Sequence, residues 1–345
     1  MGRLTDDGQP RRHPRPGVTA AESQGSWALT GRDTVPHATT SATTTSSGGL
    51  PPTVVAAHTW QDYRCESRLV FSAAPRIAPV VLVGGAFQTK ENWGDVEAEF
   101  LTHADVLAVD LPGWGKAGVL PERYGVDFLA DALCRILDDT GLTEVNLVGC
   151  SYGTAVTYTF AQRHPGRVRR MALIGTTASV PEHARDSFHR GLGLLAAERM
   201  EEFADEALDQ LMNRGALDRT VAGHRIRRFL HTRLARLRPD EAQQLTTNTR
   251  RLLTHRGLDL AAAPTMPVLV TTGEHDHYAT PALGQELAAA CPDGWFTVIT
   301  DADHMLPLER GREVSDLCLR FFADRPLTDL AYCPDGKRVS RQTTA

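Results

Sequence analysis

The chain is nearly without lysine: of its 37 basic residues only Lys90, Lys116 and Lys337 are Lys, and the rest are Arg. Against 42 acidic residues the formal net charge is -5. That balance leaves no electrostatic footprint for nucleic acid, and the Arg skew reads as genome composition, so no nucleic-acid partner is expected. Long apolar runs are missing too. The longest, Ala78 to Phe87, is about half the roughly 18 residues a helical span needs and holds two glycines, which excludes a membrane-spanning helix. Paired cysteine spacings are absent: Cys65, Cys134, Cys150, Cys291, Cys318 and Cys333 include no CxxC, which argues against a zinc site or a disulfide framework and for reduced thiols. The basic N-terminal stretch is followed by no apolar core and no small-residue cleavage site. A cytoplasmic location is expected.

What is there reads as globular, with 41% apolar and 23% charged residues. Residues 1–52 are rich in Pro, Gly, Arg, Ser and Thr, with nine Ser/Thr between Thr34 and Ser47, and are expected to be a disordered tail. Residues 327–345 read as a second flexible tail. Between them, short β-branched runs alternate with amphipathic segments, the pattern of βαβ units and a parallel sheet. The runs are Pro79 to Val83, Val106 to Asp110, Val145 to Val148, Met171 to Ile174, Val268 to Thr272 and Trp295 to Ile299. They are almost wholly apolar, as strands covered on both faces must be. The segments Asn92 to Leu101, Val126 to Thr140 and Tyr152 to His164 have helical spacing; Phe128, Leu129, Leu133, Ile136 and Leu137 form one stripe. The rhythm breaks between Ile174 and Val268, where everything reads helical. The expected fold class is α/β: a mostly parallel central sheet with helices on both faces and a helical cap inserted between two late strands. The core is expected at 53–178 and 264–326, and the cap at 179–263. Between Arg219 and Arg256 the cap holds ten arginines against Asp240 and Glu241.

The chemistry is carried by Gly149-x-Ser151-x-Gly153, where a buried strand meets a helix. A nucleophile on a tight strand-to-helix turn sits in a strained backbone geometry that lifts its hydroxyl off the sheet. Its neighbours two residues either side must be tiny so that strand and helix can approach. Serine needs a base and an orienting carboxylate at other strand ends. Asp276 follows the strand Val268 to Thr272, and His304 follows Phe296 to Thr300, so the order is Ser, acid, His.

These residues resemble the α/β-hydrolase superfamily, in its capped serine branch of small esterases and thioesterases. Four further segments carry the likeness: Gly84-Gly-Ala-Phe-Gln-Thr-Lys-Glu-Asn-Trp93, Asp110-Leu-Pro-Gly-Trp-Gly115, Gly273-Glu-His-Asp276 and His304-Met-Leu-Pro-Leu-Glu309. By the resemblance Ser151, Asp276 and His304 are the catalytic triad, and the backbone N–H groups of Ala86 and Tyr152 form the oxyanion hole. Two positions depart from the family pattern: Gly84 stands where a His is usual, and Asp303 where a Gly is usual. The Asp303 carboxylate is expected to face solvent. Glu274 competes with Asp276 for the acid role and loses on its offset from Gly273. Cys150 reads as a buried thiol, and His275 and His277 lack the further pair that a metal site would need.

The resemblance implies cleavage of a carboxylic ester, thioester or lactone through an acyl-enzyme, without cofactor or metal. Alternatives are a C–C bond hydrolase or cofactor-free perhydrolase using the same triad, or a non-catalytic ligand-binding member of the fold. The cap arginines suggest an anionic carrier as partner: an acyl carrier protein or a coenzyme A thioester.

Overall fold

The computed structural model describes residues 42–45, 51–334 and 336–339. Among the described residues ten strands form one sheet: β1 Ala42–Thr45, β2 Thr53–Trp60, β3 Tyr63–Val70, β4 Val80–Val83, β5 Val106–Asp110, β6 Val145–Cys150, β7 Val168–Ile174, β8 Val268–Gly273, β9 Gly294–Ile299 and β10 Lys337–Val339. Their spatial order is β1-β2-β3-β5-β4-β6-β7-β8-β9-β10. All pairs from β5 through β9 are parallel, and β1, β2, β3 and β10 pair antiparallel at the two sides. All six strands expected from the apolar runs are present. The chain order reverses at β4, whose neighbours are β5 and β6, so a crevice opens beyond its carboxyl end.

Helices cover both faces. On one, α2 Val126–Asp139, α3 Tyr152–Arg163 and α8 Pro281–Ala290 pack their apolar stripes on the sheet, and Leu129, Leu133, Ile136 and Leu137 are fully buried. On the other, α1 Gly94–Phe100 and α10 Gly311–Phe322 bury Val96, Phe100, Leu317 and Phe321; the short α9 Leu306–Glu309 precedes α10. Each such large side chain contributes roughly 1.5 to 3 kcal/mol by leaving water. Between β7 and β8 lie α4 Glu182–Ala196, α5 Met200–Leu211, α6 Gly223–Leu234 and α7 Pro239–Thr254, with an apolar centre that includes Phe203, Leu208, Met212 and Ile226. One of the ten cap arginines is internal: Arg251 on α7 is buried and donates to the Tyr124 carbonyl at 2.6 Å and the Leu120 carbonyl at 2.8 Å, tying cap to core.

Both tail expectations need correction. Residues 42–45 are strand β1, because the β-branched Thr-rich stretch can satisfy the open hydrogen-bonding edge of β2. Residues 1–41 and 46–50 lie outside the described residues. From residue 327 the chain is not a loose end, since Leu327, Leu330 and Cys333 are buried in the second core and β10 pairs with β9. Sparse apolar residues three apart were enough to dock it. The β2–β3 hairpin carries no sequence signal: its turn, Gln61-Asp62, has positive φ at both residues without the Asn-Gly or Asp-Gly that usually marks such a turn.

Candidate active site

Ser151 lies between β6 and α3 with φ 49° and ψ -116°, a conformation a non-glycine residue adopts only when its surroundings enforce it. The enforcement is visible at the flanking glycines. A Cβ on Gly149 would lie 2.3 Å from the Thr157 hydroxyl, and one on Gly153 would lie 2.3 Å from the Val83 carbonyl oxygen. Strand, turn and helix therefore approach as closely as backbone allows, and Ser151 projects beyond the sheet at the switch point.

His304 and Asp276 come to the same place from the ends of β9 and β8. Ser151 Oγ is 2.9 Å from His304 Nε2, and His304 Nδ1 is 2.8 Å from Asp276 Oδ2. The other Asp276 oxygen accepts the backbone N–H groups of Tyr278 at 3.0 Å and Ala279 at 2.7 Å, which fixes the carboxylate. Tyr278 also sets its ring edge-on to the imidazole, with centroids 5.1 Å apart. Gly175, with φ +60°, leaves the room His304 needs: a Cβ there would lie 3.1 Å from the ring. Burial alone would lower the His304 pKa below 6.5; the charge and hydrogen bond of Asp276, with Asp303 and Glu309 behind, outweigh it and hold it above that value. Glu274 does not join this cluster. Its carboxylate accepts the Asp301 N–H and stays half-exposed.

Of the two backbone donors, Tyr152 is the first residue of α3 and Ala86 follows the end of β4. Neither N–H has a hydrogen-bond partner among the described residues. A Cβ on Gly85 would lie 3.2 Å from Ser151 Cβ, so this segment runs beside Ser151. Trp114 holds both pieces: its indole N–H donates to the Gly85 carbonyl at 3.1 Å, and its ring meets the Tyr152 ring edge-on at 4.9 Å. Lys90, buried, braces the same segment against β5 and β3 through Asp110 and Glu66 at 2.9 Å each. Sequence reading did not single out Trp114 or Lys90; both lie inside the quoted motifs, but their contacts are made across the fold.

Asp303 corrects the expectation that it faces solvent. It is fully buried, because loop and cap close over it. Its carboxylate accepts the His304 N–H at 2.9 Å and the N–H of Asn213 from the cap, while its own N–H donates to Glu309 Oε2 at 2.7 Å. Burial, reinforced by the negative charges of Asp303 and Asp276 and opposed by the Asp303 N–H and by His304, pushes the Glu309 carboxyl from 4.5 up to about 8, and its Oε1 has no partner among the described residues. A raised carboxyl pKa adds stability at low pH that is lost as pH rises through about 8. Glu309→Gln keeps the acceptor and stays neutral. It should match wild type in urea unfolding near pH 5 and exceed it by about 1 to 3 kcal/mol at pH 8; equal stability at both values would refute a buried, charged Glu309.

The Cys150 thiol is buried and pushed up to about 12, which leaves it unreactive at neutral pH. Among the described residues no three His, Cys, Asp or Glu side chains gather in a way that could hold a metal, and no helix is long and apolar enough to cross a membrane.

Known proteins share this architecture. A family model described as alpha/beta hydrolase fold matches residues 78–311, more than half of the chain. A stretch of 104 residues is 40% identical to 2-hydroxy-6-oxo-2,4-heptadienoate hydrolase of Pseudomonas putida, covering 28% of this chain and 37% of that protein. Over 265 residues the chain is 26% identical to an uncharacterized carboxylesterase of Bacillus subtilis, covering 74% of this chain and 83% of the relative. Among solved structures, the enol-lactonase from Burkholderia xenovorans superposes with a TM-score of 0.67 at 21% identity, covering 77% of this chain and 99% of that one. At that identity the likeness speaks for the fold. The sheet, its switch point and the matched segment agree: the chain belongs to the alpha/beta hydrolase fold family.

Proposed function

We infer that this hydrolase cleaves an acyl bond, in a carboxylic ester, thioester or lactone, with Ser151 as nucleophile, His304 as general base and Asp276 as its orienting acid. The observation that carries the reading is the unbroken chain of hydrogen bonds from Ser151 Oγ through His304 to Asp276, on a strained turn beside two unpartnered backbone donors. In the first step His304 Nε2 takes the hydroxyl proton as Oγ attacks the carbonyl carbon. The N–H groups of Ala86 and Tyr152 receive the developing oxyanion, each worth roughly 3 to 4 kcal/mol. His304 then gives its proton to the leaving alcohol or thiol, leaving an acyl-Ser151 ester. In the second step His304 deprotonates water, which attacks that ester and frees the acid and the serine. Phe87 and Met305, next in sequence to Ala86 and His304, pack with the apolar underside of the cap, which favours an apolar acyl group.

A second reading, cleavage of a C–C bond next to a ketone, is favoured by the names of two relatives, the dienoate hydrolase of Pseudomonas putida and a 2-hydroxy-6-oxononadienedioate hydrolase of Paraburkholderia phymatum. The test of the serine is intact-mass analysis after a fluorophosphonate probe. One adduct, absent in Ser151→Ala, is expected; no adduct on folded protein would sink both readings. Turnover of an activated ester against a vinylogous 1,5-diketone separates them.

For a carrier partner the candidate surface is one helix face of the cap. Arg227, Arg233, Arg238 and Arg250 are paired with carboxylates. Arg225, Arg228 and Arg236 are exposed without an ion pair among the described residues, and with Phe229 they line a shallow groove of about 530 Å³ on and just beyond α6. We propose that this face receives an acidic acyl carrier. Changing the three arginines to Gln should lower kcat/KM for a carrier-bound thioester about tenfold at low salt relative to a small neutral ester. Equal effects on both substrates would discard the partner.

A further inference from the structure

We propose that Asp303 is a positioning residue that ties the cap to the base, so that seating of the cap and alignment of His304 are one event. The inference rests on the triad reading above.

Its observations are independent of the triad's own hydrogen bonds. Asp303 is fully buried, and its two carboxylate oxygens are divided between two loops: one accepts the N–H of His304 at 2.9 Å, the other the N–H of Asn213. Asn213 lies in the cap, just after α5. Its side-chain amide reaches the second triad loop, donating to the carbonyl of His275 at 3.3 Å, one residue before Asp276. A single cap residue thus touches the loops that carry both the base and the acid. A second cap bond runs alongside, from the Val221 N–H to the Asp301 carbonyl at 2.9 Å. The acid and base loops are themselves welded together by the His275 N–H to Ala302 carbonyl bond at 2.9 Å, and a Cβ on Gly273 would lie 2.4 Å from the Asp303 carbonyl oxygen.

A charge-assisted bond to a buried carboxylate is short and directional. If the cap lifts and withdraws the Asn213 N–H, the carboxylate is left buried with one oxygen unsatisfied, and the remaining bond to His304 N–H must readjust. That readjustment reaches the imidazole, because the backbone of residue 304 sets where Nε2 meets Ser151. The groups facing His304 are Asp276 from the β8 loop, Asp303 and Glu309 from its own segment, and Tyr278; His277 faces Asp303. Asp303 therefore acts on the base through position and through its negative charge.

Asn213 allows a clean test. Its φ is -67°, the value proline requires, and Met212 before it sits at φ -127° and ψ 120°, which a following proline tolerates. Asn213→Pro removes the N–H and the side chain, whereas Asn213→Ala removes the side chain alone. With an activated ester, Asn213→Pro should lose about tenfold more kcat than Asn213→Ala, with KM differing less than about twofold between them. Asp303→Asn removes the charge at nearly constant shape. It should move the acidic limb of the kcat profile to lower pH by about half a unit to one unit, since loss of a nearby anion lowers the imidazole pKa. A merely structural Asp303 would lower activity or stability without moving that limb. Equal kcat in the Pro and Ala variants, or an unmoved limb in folded Asp303→Asn, overturns the inference. Fluorophosphonate labelling of wild type separates this failure from failure of the triad reading, in which Ser151 would carry no adduct.

Discussion

Ser151→Ala is expected to lower turnover of an activated ester by about 10⁵-fold while the protein keeps its fold, because the alanine methyl fits where the serine Cβ already sits. Three facts set the size. The hydroxyl is the only atom removed, its partner His304 Nε2 is 2.9 Å away, and the backbone donors at Ala86 and Tyr152 are untouched. His304→Ala should cost about as much, and the double variant little more than either, because in the proposed reaction the two residues act as one unit. Asp276→Asn should cost about 10⁴-fold, since its amide would meet the imidazole N–H with the wrong group and select the wrong tautomer. In wild type the activity should fall as pH drops through a value above the ordinary 6.5 of histidine, because Asp276 and the carboxylates behind it favour imidazolium. Steady-state kinetics and a pH profile check all of this. Independent, additive losses for Ser151 and His304 would show that they do not act together.

The second large effect is on stability. Lys90 is buried between Glu66 and Asp110, and its ammonium is held charged: burial works against it, but hydrogen bonds to both carboxylates outweigh burial. Asp110 responds in the opposite sense, its pKa raised by burial with only Lys90 pulling it back. Lys90→Met would leave the buried Asp110 carboxylate without a cation and Glu66 with only the Arg64 guanidinium on its other oxygen. Removing one partner of such a buried cluster costs about 3 to 5 kcal/mol, which for a chain of this size is roughly 10 °C in Tm. The deficit should shrink as pH falls, because protonating Asp110 and Glu66 relieves it. Thermal unfolding of both proteins at pH 5 and pH 8 measures this directly, and a deficit that does not depend on pH would refute the charge argument. Activity should fall as well, since the Lys90 backbone N–H also donates to Asp110 at 2.7 Å and anchors the loop that carries Ala86.

How much was legible follows from where each signal lives. The central strands are doubly covered, so they must be almost uniformly apolar, and Val80–Val83, Val106–Asp110 and Val268–Gly273 stand out in the sequence for that reason. The outer antiparallel strands β2 and β3 are less uniformly apolar, carry Arg, Glu and His among their residues, and so lose the contrast that marks a strand. The nucleophile turn is legible because its steric demand is local: two glycines and a serine within five residues. Asp276 and His304 are legible only by their place after two strands.

Asp303, Trp114, Lys90 and Asn213 show the other side. Nothing in the order of residues tells whether the carboxylate next to His304 looks outward or inward; that depends on a cap residue ninety positions away in sequence closing over it. The order of residues is enough to read the central strand and helix pattern, the family and the candidate Ser151, Asp276 and His304, since these rest on short-range periodicity and on glycines that a turn cannot do without. The tertiary structure alone decided which polar side chains are buried, which backbone donors are left free and which cap groups reach the site. Burial and hydrogen-bond pairing are properties of surfaces brought together from distant parts of the chain, and no local pattern encodes them.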